Sequence, residues 1–279
     1  MIIDLRFPDP KIIRIDQFPD SQVNVTLLQE PGHGENVDVI SGAEWSDVQK
    51  LISLSSIIRN KGTLYIPYLL GARSDRKFTN NGTFYLQDVI SPLINNLKFK
   101  RVKIFDPHSN VACDSIKNSI ACSNIPYARQ AISDMLWDDD ILFNLVAVDK
   151  GSTAKIQALK KEGSLLNANV VQLSKTRNLT TGTITDLTVE SKILPNAPSI
   201  IVDDIIDGGA TFIRAKEVME KQTKSSFFGL IASHGIFSNG VKVLKEHFNY
   251  ICVTDSRPQM NNFRSDISVY PCAPFLLKG

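Results

Sequence analysis

Short β-branched runs alternate with stretches of helical spacing along almost the whole chain. Strand candidates in the first half are Val23 to Leu28, Val37 to Ile40, Thr63 to Pro67 and Arg101 to Phe105. Between them, Val48, Leu51, Ile52, Ile57 and Ile58 keep the spacing of an amphipathic helix, as do Leu86, Val89, Ile90, Leu93 and Leu97. The pattern restarts in the second half, with strands expected at Leu145 to Val148, Asn169 to Leu173, Ser199 to Asp203 and Phe227 to Ile231. Strands alternating with helices imply βαβ units and a mainly parallel sheet. The polar, mixed stretch 123–140 is the expected boundary. The reading is an α/β protein of two domains, 1–130 and 131–279, each with a central sheet flanked by helices. An internal duplication stays open, although the halves show no residue-by-residue repeat.

Composition bounds this picture without deciding function. A chain of 279 residues, 43% hydrophobic and 22% charged, is long enough for two modest soluble domains. Its net charge of +2 supports neither a nucleic-acid partner nor an acidic one. Residues 1–10 mix acids and bases without an apolar segment, which is unlike a signal peptide. No run approaches the roughly 20 apolar residues of a membrane helix. Cys113, Cys122, Cys252 and Cys272 lie far apart and form no CxxC pair. A cytoplasmic protein with reduced thiols is the expectation.

The run "SIIVDDIIDGGAT", Ser199 to Thr211, concentrates the chemistry. Ile200, Ile201 and Val202 read as a central strand buried on both faces, with Asp203 and Asp204 at its carboxyl end, where open α/β sheets bind ligands. Gly208 and Gly209 permit a tight turn, and Phe212, Ile213, Ala215 and Val218 predict a helix just after it. A helix N-terminus offers unpaired N–H groups to an anion. Carboxylates beside a phosphate site repel it unless they bind hydroxyls or a metal ion of the same substrate. An acidic βα turn without a ligand fits the same run.

Other strand ends carry further candidates. "DPHSN" puts Asp106 and His108 at the exit of one strand, and "DKGSTAK" puts Asp149 ahead of a small-residue turn. These are also what a solvated histidine and an N-capping aspartate near Ser152 look like. Together with Asp203 and Asp204 they make a set of hard oxygen ligands plus one imidazole, suited to Mg²⁺. "GARSDRKF" crowds Arg73, Arg76 and Lys77 with only Asp75 to offset them, a cluster suited to a polyphosphate or to a solvated loop. "LSKTRNLTTGTITDL" sets Lys175 and Arg177 before a threonine-rich stretch, which reads as a cation-bearing flap or as an ordinary hairpin loop. There is no GxxxxGK[ST] loop and no GxGxxG, and "GHGEN" at Gly32 to Asn36 follows neither pattern.

Seven segments in order resemble the ribose-phosphate pyrophosphokinase family. "FPDSQVNV" resembles its "FxDGExxV", "YIPYLLGARSDRK" its "PYxxYARQDRK", and "DPHS" its "DLH" element. "AVDKGS" resembles "SPDxGG", "LSKTR" the flap "xxKxR", and "VDDIIDGGAT" the phosphoribosyl-diphosphate loop. "SHGIFSNG", with Ser233 and His234, resembles "THGxxxG". Any one segment is weak; the ordered set spans about Phe18 to about Gly240.

The resemblance implies two phosphoribosyltransferase-like domains and transfer of the β,γ-diphosphate of ATP to an anomeric hydroxyl, with release of AMP. It implies that Phe18, Asp20 and Gln22 cradle adenine from a neighbouring subunit and that Arg73, Ser74, Asp75 and Arg76 hold ATP. His108 and Asp149 would bind Mg²⁺, with His108, Lys175 and Arg177 as the catalytic set. Asp203, Asp204, Asp207, Gly208, Gly209, Ala210 and Thr211 would hold the sugar phosphate. A homodimer or larger homo-oligomer with its active site near the subunit interface follows from the same resemblance.

Departures from the family pattern bear on the acceptor. The loop usually reads "DDIIDTAGT", so here a threonine hydroxyl is missing at Gly208 and a glycine has become Ala210. Gln22 replaces an acid, Ser74 replaces a glutamine, and "ISGAEW" replaces a polar loop, which puts family-type allosteric control in doubt. A phage-encoded branch of the family pyrophosphorylates ADP-ribose, whose 5′ group is a diphosphate diester, and room near Gly208 and Gly209 is what such an acceptor requires. Ribose 5-phosphate is the default. A phosphoribosyltransferase and a non-catalytic regulatory partner of a synthetase are the remaining readings.

Overall fold

Isoleucine and valine at every second position, or in unbroken runs, assemble two separate, mainly parallel sheets. The computed structural model describes residues 1–138, 140–177 and 184–278, without the side chains of 175–177 and 184–186. By contact the chain divides into one unit of Met1–Ser123, Ser256–Pro258 and Cys272–Gly279, and another of Asn124–Asp255 and Gln259–Pro271.

In the first unit the chain runs β1 (Ile2–Asp4), β2 (Ile13–Gln17), β3 (Val23–Leu27), β4 (Val37–Ile40), α1 (Trp45–Ile57), β5 (Lys61–Ile66), α2 (Ser91–Asn96), β6 (Arg101–Phe105), α3 (Asn110–Ser115) and β7 (Ser119–Cys122). The sheet order is β1-β4-β5-β6-β7, parallel throughout. Val37, Val39, Leu64, Ile66, Val102 and Ile104 share one core with Leu51 and Leu54 of α1, and β5 is buried on both faces from Gly62 to Ile66. The strand expected at Val23 to Leu28 lies outside this sheet, in an antiparallel hairpin of β2 and β3. The helix expected from Leu86 begins as a π-helical turn, Leu86–Ile90, and only then becomes α2, with Pro92 in its first turn.

The second unit contains α4 (Ile125–Leu136), β8 (Phe143–Ala147), α5 (Lys150–Glu162), β9 (Ala168–Arg177), β10 (Ile184–Val189), β11 (Ser199–Ile206), α6 (Ala210–Thr223), β12 (Phe228–Gly235), α7 (Lys242–Lys245), β13 (Tyr250–Thr254) and β14 (Ser268–Tyr270). The polar stretch 123–140 is thus mostly α4, whose Tyr127, Ala128, Ala131, Ile132 and Met135 are buried. The last helix, α8 (Ala273–Lys278), packs back on β6 of the first unit. Among the described residues no helix is long and apolar enough to cross a membrane.

Strand order in the second sheet is β10-β9-β8-β11-β12-β13-β14, with only the β9–β10 pair antiparallel. From β8 the chain moves one way through α5 to β9, then returns to the other side of β8 and continues through α6 to β12. This reversal lies between β8 and β11, so the connections leaving those strands diverge and open a crevice at their carboxyl ends. Two-sided burial explains the unbroken apolar run: Ile200, Ile201, Leu230 and Ile231 are fully inaccessible. Ile201→Ala should therefore lower unfolding stability by about 2–5 kcal/mol, read as a drop in urea midpoint at constant m-value.

Candidate functional site

Strand β11 outruns its neighbour. It pairs with β8 only from Ser199↔Asn144 to Ile201↔Val146, but with β12 as far as Ile206↔Gly235. Its last five residues therefore lack a ladder partner on the β8 side. Asp203 and Asp204 lie inside this extension, three and two residues before the strand ends and not at its end as the sequence pattern predicts, because Ile205 and Ile206 continue the ladder with β12.

The two carboxylates are held by backbone. Asp204 N–H donates to Asp203 Oδ1 and Ile205 N–H to Asp204 Oδ1, both at 3.0 Å. Asp204 is buried. Loss of water pushes the Asp203 carboxyl up to about 8, and the adjacent Asp204 charge and the charge of Asp149 push the same way. Asp149 therefore sits close enough to act on Asp203 across the switch point.

Asp149 is the N-cap of α5. Its Oδ1 accepts from Ser152 N–H at 2.9 Å, and the Ser152 hydroxyl completes a capping box. The capping role that the sequence allows is thus present. It engages Oδ1 in the cap. Capping does not conflict with binding a cation, since Mg²⁺ is held by one or two carboxylates together with substrate phosphates. Among the described residues no group of three or more His, Cys, Asp or Glu forms a metal cage.

The turn after β11 is shaped by two glycines for different reasons. Gly209 has φ +87° and caps α6, and a Cβ there would lie 2.8 Å from Leu244 Cδ2. Only glycine fits. Ala210 and Thr211 then open α6, a 14-residue helix anchored by buried Phe212, Ala215 and Met219, so its first N–H groups border the crevice. The room expected at Gly208 is taken: Asn239, from the loop after β12, donates from Nδ2 to Gly208 O at 3.1 Å. Sequence reasoning missed Asn239, and its only signal was its place in "SHGIFSNG". Ser233 and His234 of that segment are buried within β12. The backbone of Ile236 returns to Ile206 O at 2.7 Å, which ties the β12 loop to the β11 loop.

The remaining second-unit residues belong to the β9–β10 hairpin. Lys175 and Arg177 are its last β9 positions, opposite Leu187 and Ile184. Their side chains, and the stretch 178–183 of the expected flap, lie outside the described residues.

The first unit carries the other candidates on loops. Phe18, Asp20 and Gln22 form the exposed tip of the β2–β3 hairpin, closed by Phe18 N–H to Gln22 O at 2.9 Å and by Gln22 N–H to Asp20 Oδ1 at 3.2 Å. Phe18 is 52% exposed, a large apolar surface for such a position. Arg73 to Lys77 follow a turn set by Gly71 at φ +77°, where a Cβ would press on Tyr85. Ser74 anchors the segment, donating to Gly71 O and accepting from Leu86 N–H, while Asp75 is half-buried and Arg73 and Arg76 are exposed. The Arg76 guanidinium stands over the ring of exposed Phe78. His108 is exposed beyond β6, just after Asp106, a buried residue held at φ +39° ahead of Pro107. A non-glycine at that φ before a proline is a strained backbone.

No protein-family model matches the chain. It is nonetheless related along nearly its whole length to curated proteins named ribose-phosphate pyrophosphokinase. The one from Thermococcus kodakarensis is 25% identical, over 99% of this chain and 95% of its own. That from Mycoplasmopsis pulmonis is 24% identical, over 98% of this chain and 82% of its own. The solved structure of phosphoribosylpyrophosphate synthetase from Mycobacterium smegmatis shares the fold, with a TM-score of 0.79 over 95% of this chain and 88% of that one, at 18% identity.

Asp203 gives the site a pH signature. Its raised value means that the folded protein holds a proton which the unfolded chain, with a carboxyl near about 3.9, releases. This contribution to stability is complete below about 3.9 and is lost as pH rises through about 8. Without divalent cations, the melting temperature should fall between pH 5 and pH 8, and Asp203→Asn should flatten that fall; parallel profiles would remove the buried-carboxylate account.

Proposed function

We propose that the chain transfers the β,γ-diphosphate of ATP to the anomeric hydroxyl of a ribose 5-phosphate-type acceptor, yielding a ribosyl 1-diphosphate and AMP. The observation that carries this reading is the array Asp203 to Thr211. Paired carboxylates, a glycine turn and a helix N-terminus follow one another at a switch point, in a chain related throughout its length to pyrophosphokinases.

The roles follow from the chemistry of each group. First-turn N–H groups of α6, with the turn 207–211, take the acceptor's phosphate. Asp204, and Asp203 through a carboxyl oxygen whether protonated or not, accept hydrogen bonds from ribose hydroxyls. Arg73 and Arg76 bind phosphate oxygens of ATP, flanked by Ser74 and Asp75. Phe18, with Asp20 and Gln22, reaches the adenine of a second copy, a use consistent with an apolar ring exposed at a hairpin tip. Lys175 and Arg177 place positive charge on the phosphoryl group in transfer, where alignment and charge neutralisation matter more than covalent help. The residues offered for Mg²⁺ are Asp149 and His108. The ion, when bound, would neutralise charge on the triphosphate.

One observation favours ADP-ribose as a second acceptor, and it is a missing donor rather than the added room that the sequence predicts, which Asn239 takes. Position 208 carries no hydroxyl, and Asn239 stands where a side chain would, so the turn lacks one donor to a terminal phosphate. A phosphoribosyltransferase would instead release pyrophosphate from phosphoribosyl diphosphate. A regulatory partner would bind ATP and release no AMP.

The test is to offer ribose 5-phosphate and ADP-ribose separately with Mg²⁺-ATP and to follow AMP. AMP with ribose 5-phosphate alone removes the ADP-ribose reading, and AMP with neither removes the transfer itself. Lys175→Ala should lower kcat by at least about 100-fold with a smaller change in KM, as for a group acting in the transition state. An unchanged kcat excludes it. EDTA should abolish turnover and excess Mg²⁺ restore it.

A further inference from the structure

Position 208 and position 239 compete for one volume. A Cβ built on Gly208 would lie 2.9 Å from Asn239 Nδ2, 3.5 Å from Ser238 Oγ and 3.6 Å from Asn239 Cγ. The first distance is well inside the roughly 3.5–4.0 Å at which non-bonded heavy atoms pack. Gly208 is not among the glycines with positive φ, so its backbone would accept a side chain. Asn239 is the obstacle. Because the atom met is the far end of a flexible side chain, a Cβ at 208 would push it aside and disturb its bond to Gly208 O. A side chain at 208 and the Asn239 tether therefore oppose each other. The tether is itself placed: Phe237 at φ +51° and Gly240 at φ +79° form a turn closed by Gly240 N–H to Phe237 O at 2.8 Å, and this turn presents Asn239 to the β11 loop.

We infer that Asn239 is a positioning residue that sets the acceptor preference. The inference rests on the assignment of Asp203 to Thr211 to the acceptor. Through Gly208 the Asn239 carboxamide holds the turn in shape while position 208 carries no side-chain hydroxyl, so the turn meets the acceptor's phosphate with one donor fewer than a threonine there would give. A terminal phosphate monoester, with the larger charge and more oxygens to satisfy, loses more from the missing donor than a phosphate that carries a further ester. Ser238 and Asn239 are both exposed and uncharged, so the border of the turn presents neutral polar groups. The pair Gly208 and Asn239 therefore shifts preference from a terminal monoester towards a substituted one.

A double-mutant cycle tests this with Gly208→Thr, Asn239→Gly and the two combined. Gly208→Thr alone should lower the melting temperature and raise KM for both acceptors while leaving KM for ATP in place. Adding Asn239→Gly should recover the melting temperature and raise the ratio of kcat/KM for ribose 5-phosphate over ADP-ribose about tenfold, the value of one hydrogen bond of ordinary strength. Additive melting temperatures, or a ratio that the double variant does not move, overturn the inference. If the parent protein forms no AMP, the functional assignment fails by itself; calorimetric Kd values for the two acceptors then replace kcat/KM, with the same reversal expected, and a parent that binds neither acceptor overturns the inference too.

Discussion

Two adjacent carboxylates inside a buried parallel strand are the constraint that shapes the second unit. Burying such groups is costly unless they are hydrogen-bonded or held neutral. Here Asp204 N–H and Ile205 N–H serve Asp203 and Asp204, and Asp203 is driven towards its protonated form. The arrangement is possible because β11 runs on past its pairing with β8, which frees one side of the strand at the switch point while β12 keeps the other side in register. An acidic pair there is a poor core element and a ready acceptor for hydroxyl groups.

Everything around the pair converges on the same crevice. Asp149 caps α5 at the end of β8, Gly209 starts α6 at the end of β11, and the Ile236 backbone ties in the loop from β12. Three successive strands of one sheet thus deliver their loops to one place, as the reversal of strand order requires. Positive φ accompanies the delivery, unstrained at Gly209 but strained at Phe237 and, in the first unit, at Asp106 before Pro107. Positive φ at strand ends re-aims a loop within one residue, at a cost that surrounding packing must cover.

Within the turn after β11, the two glycines are not equivalent. Backbone geometry demands Gly209, whereas the Asn239 carboxamide crowds the Cβ position of Gly208. The position that lacks a hydroxyl in the sequence is, in three dimensions, bonded through its carbonyl to a residue 31 positions away.

Periodicity carried the sequence far. The α/β class and the core strands were readable because two-sided burial leaves runs such as Ile200 to Val202, a local property. The turn at Gly208 and Gly209, the cap at Asp149 and the exposed cluster at Arg73 to Lys77 were readable for the same reason, since each is set by residues within a few positions of one another. Local pattern did not show that β3 leaves the sheet for a hairpin, that α4 lies in a polar stretch, or that α8 returns to β6. It also did not show that Asp203 and Asp204 lie within the strand, that Asp149 acts on Asp203, or that Asn239 fills the space beside Gly208. Each of these depends on which distant segment lies alongside. Burial and contact are properties of the folded neighbourhood, so residue order determined the elements and the chemistry they carry, and only tertiary packing decided which of those groups meet.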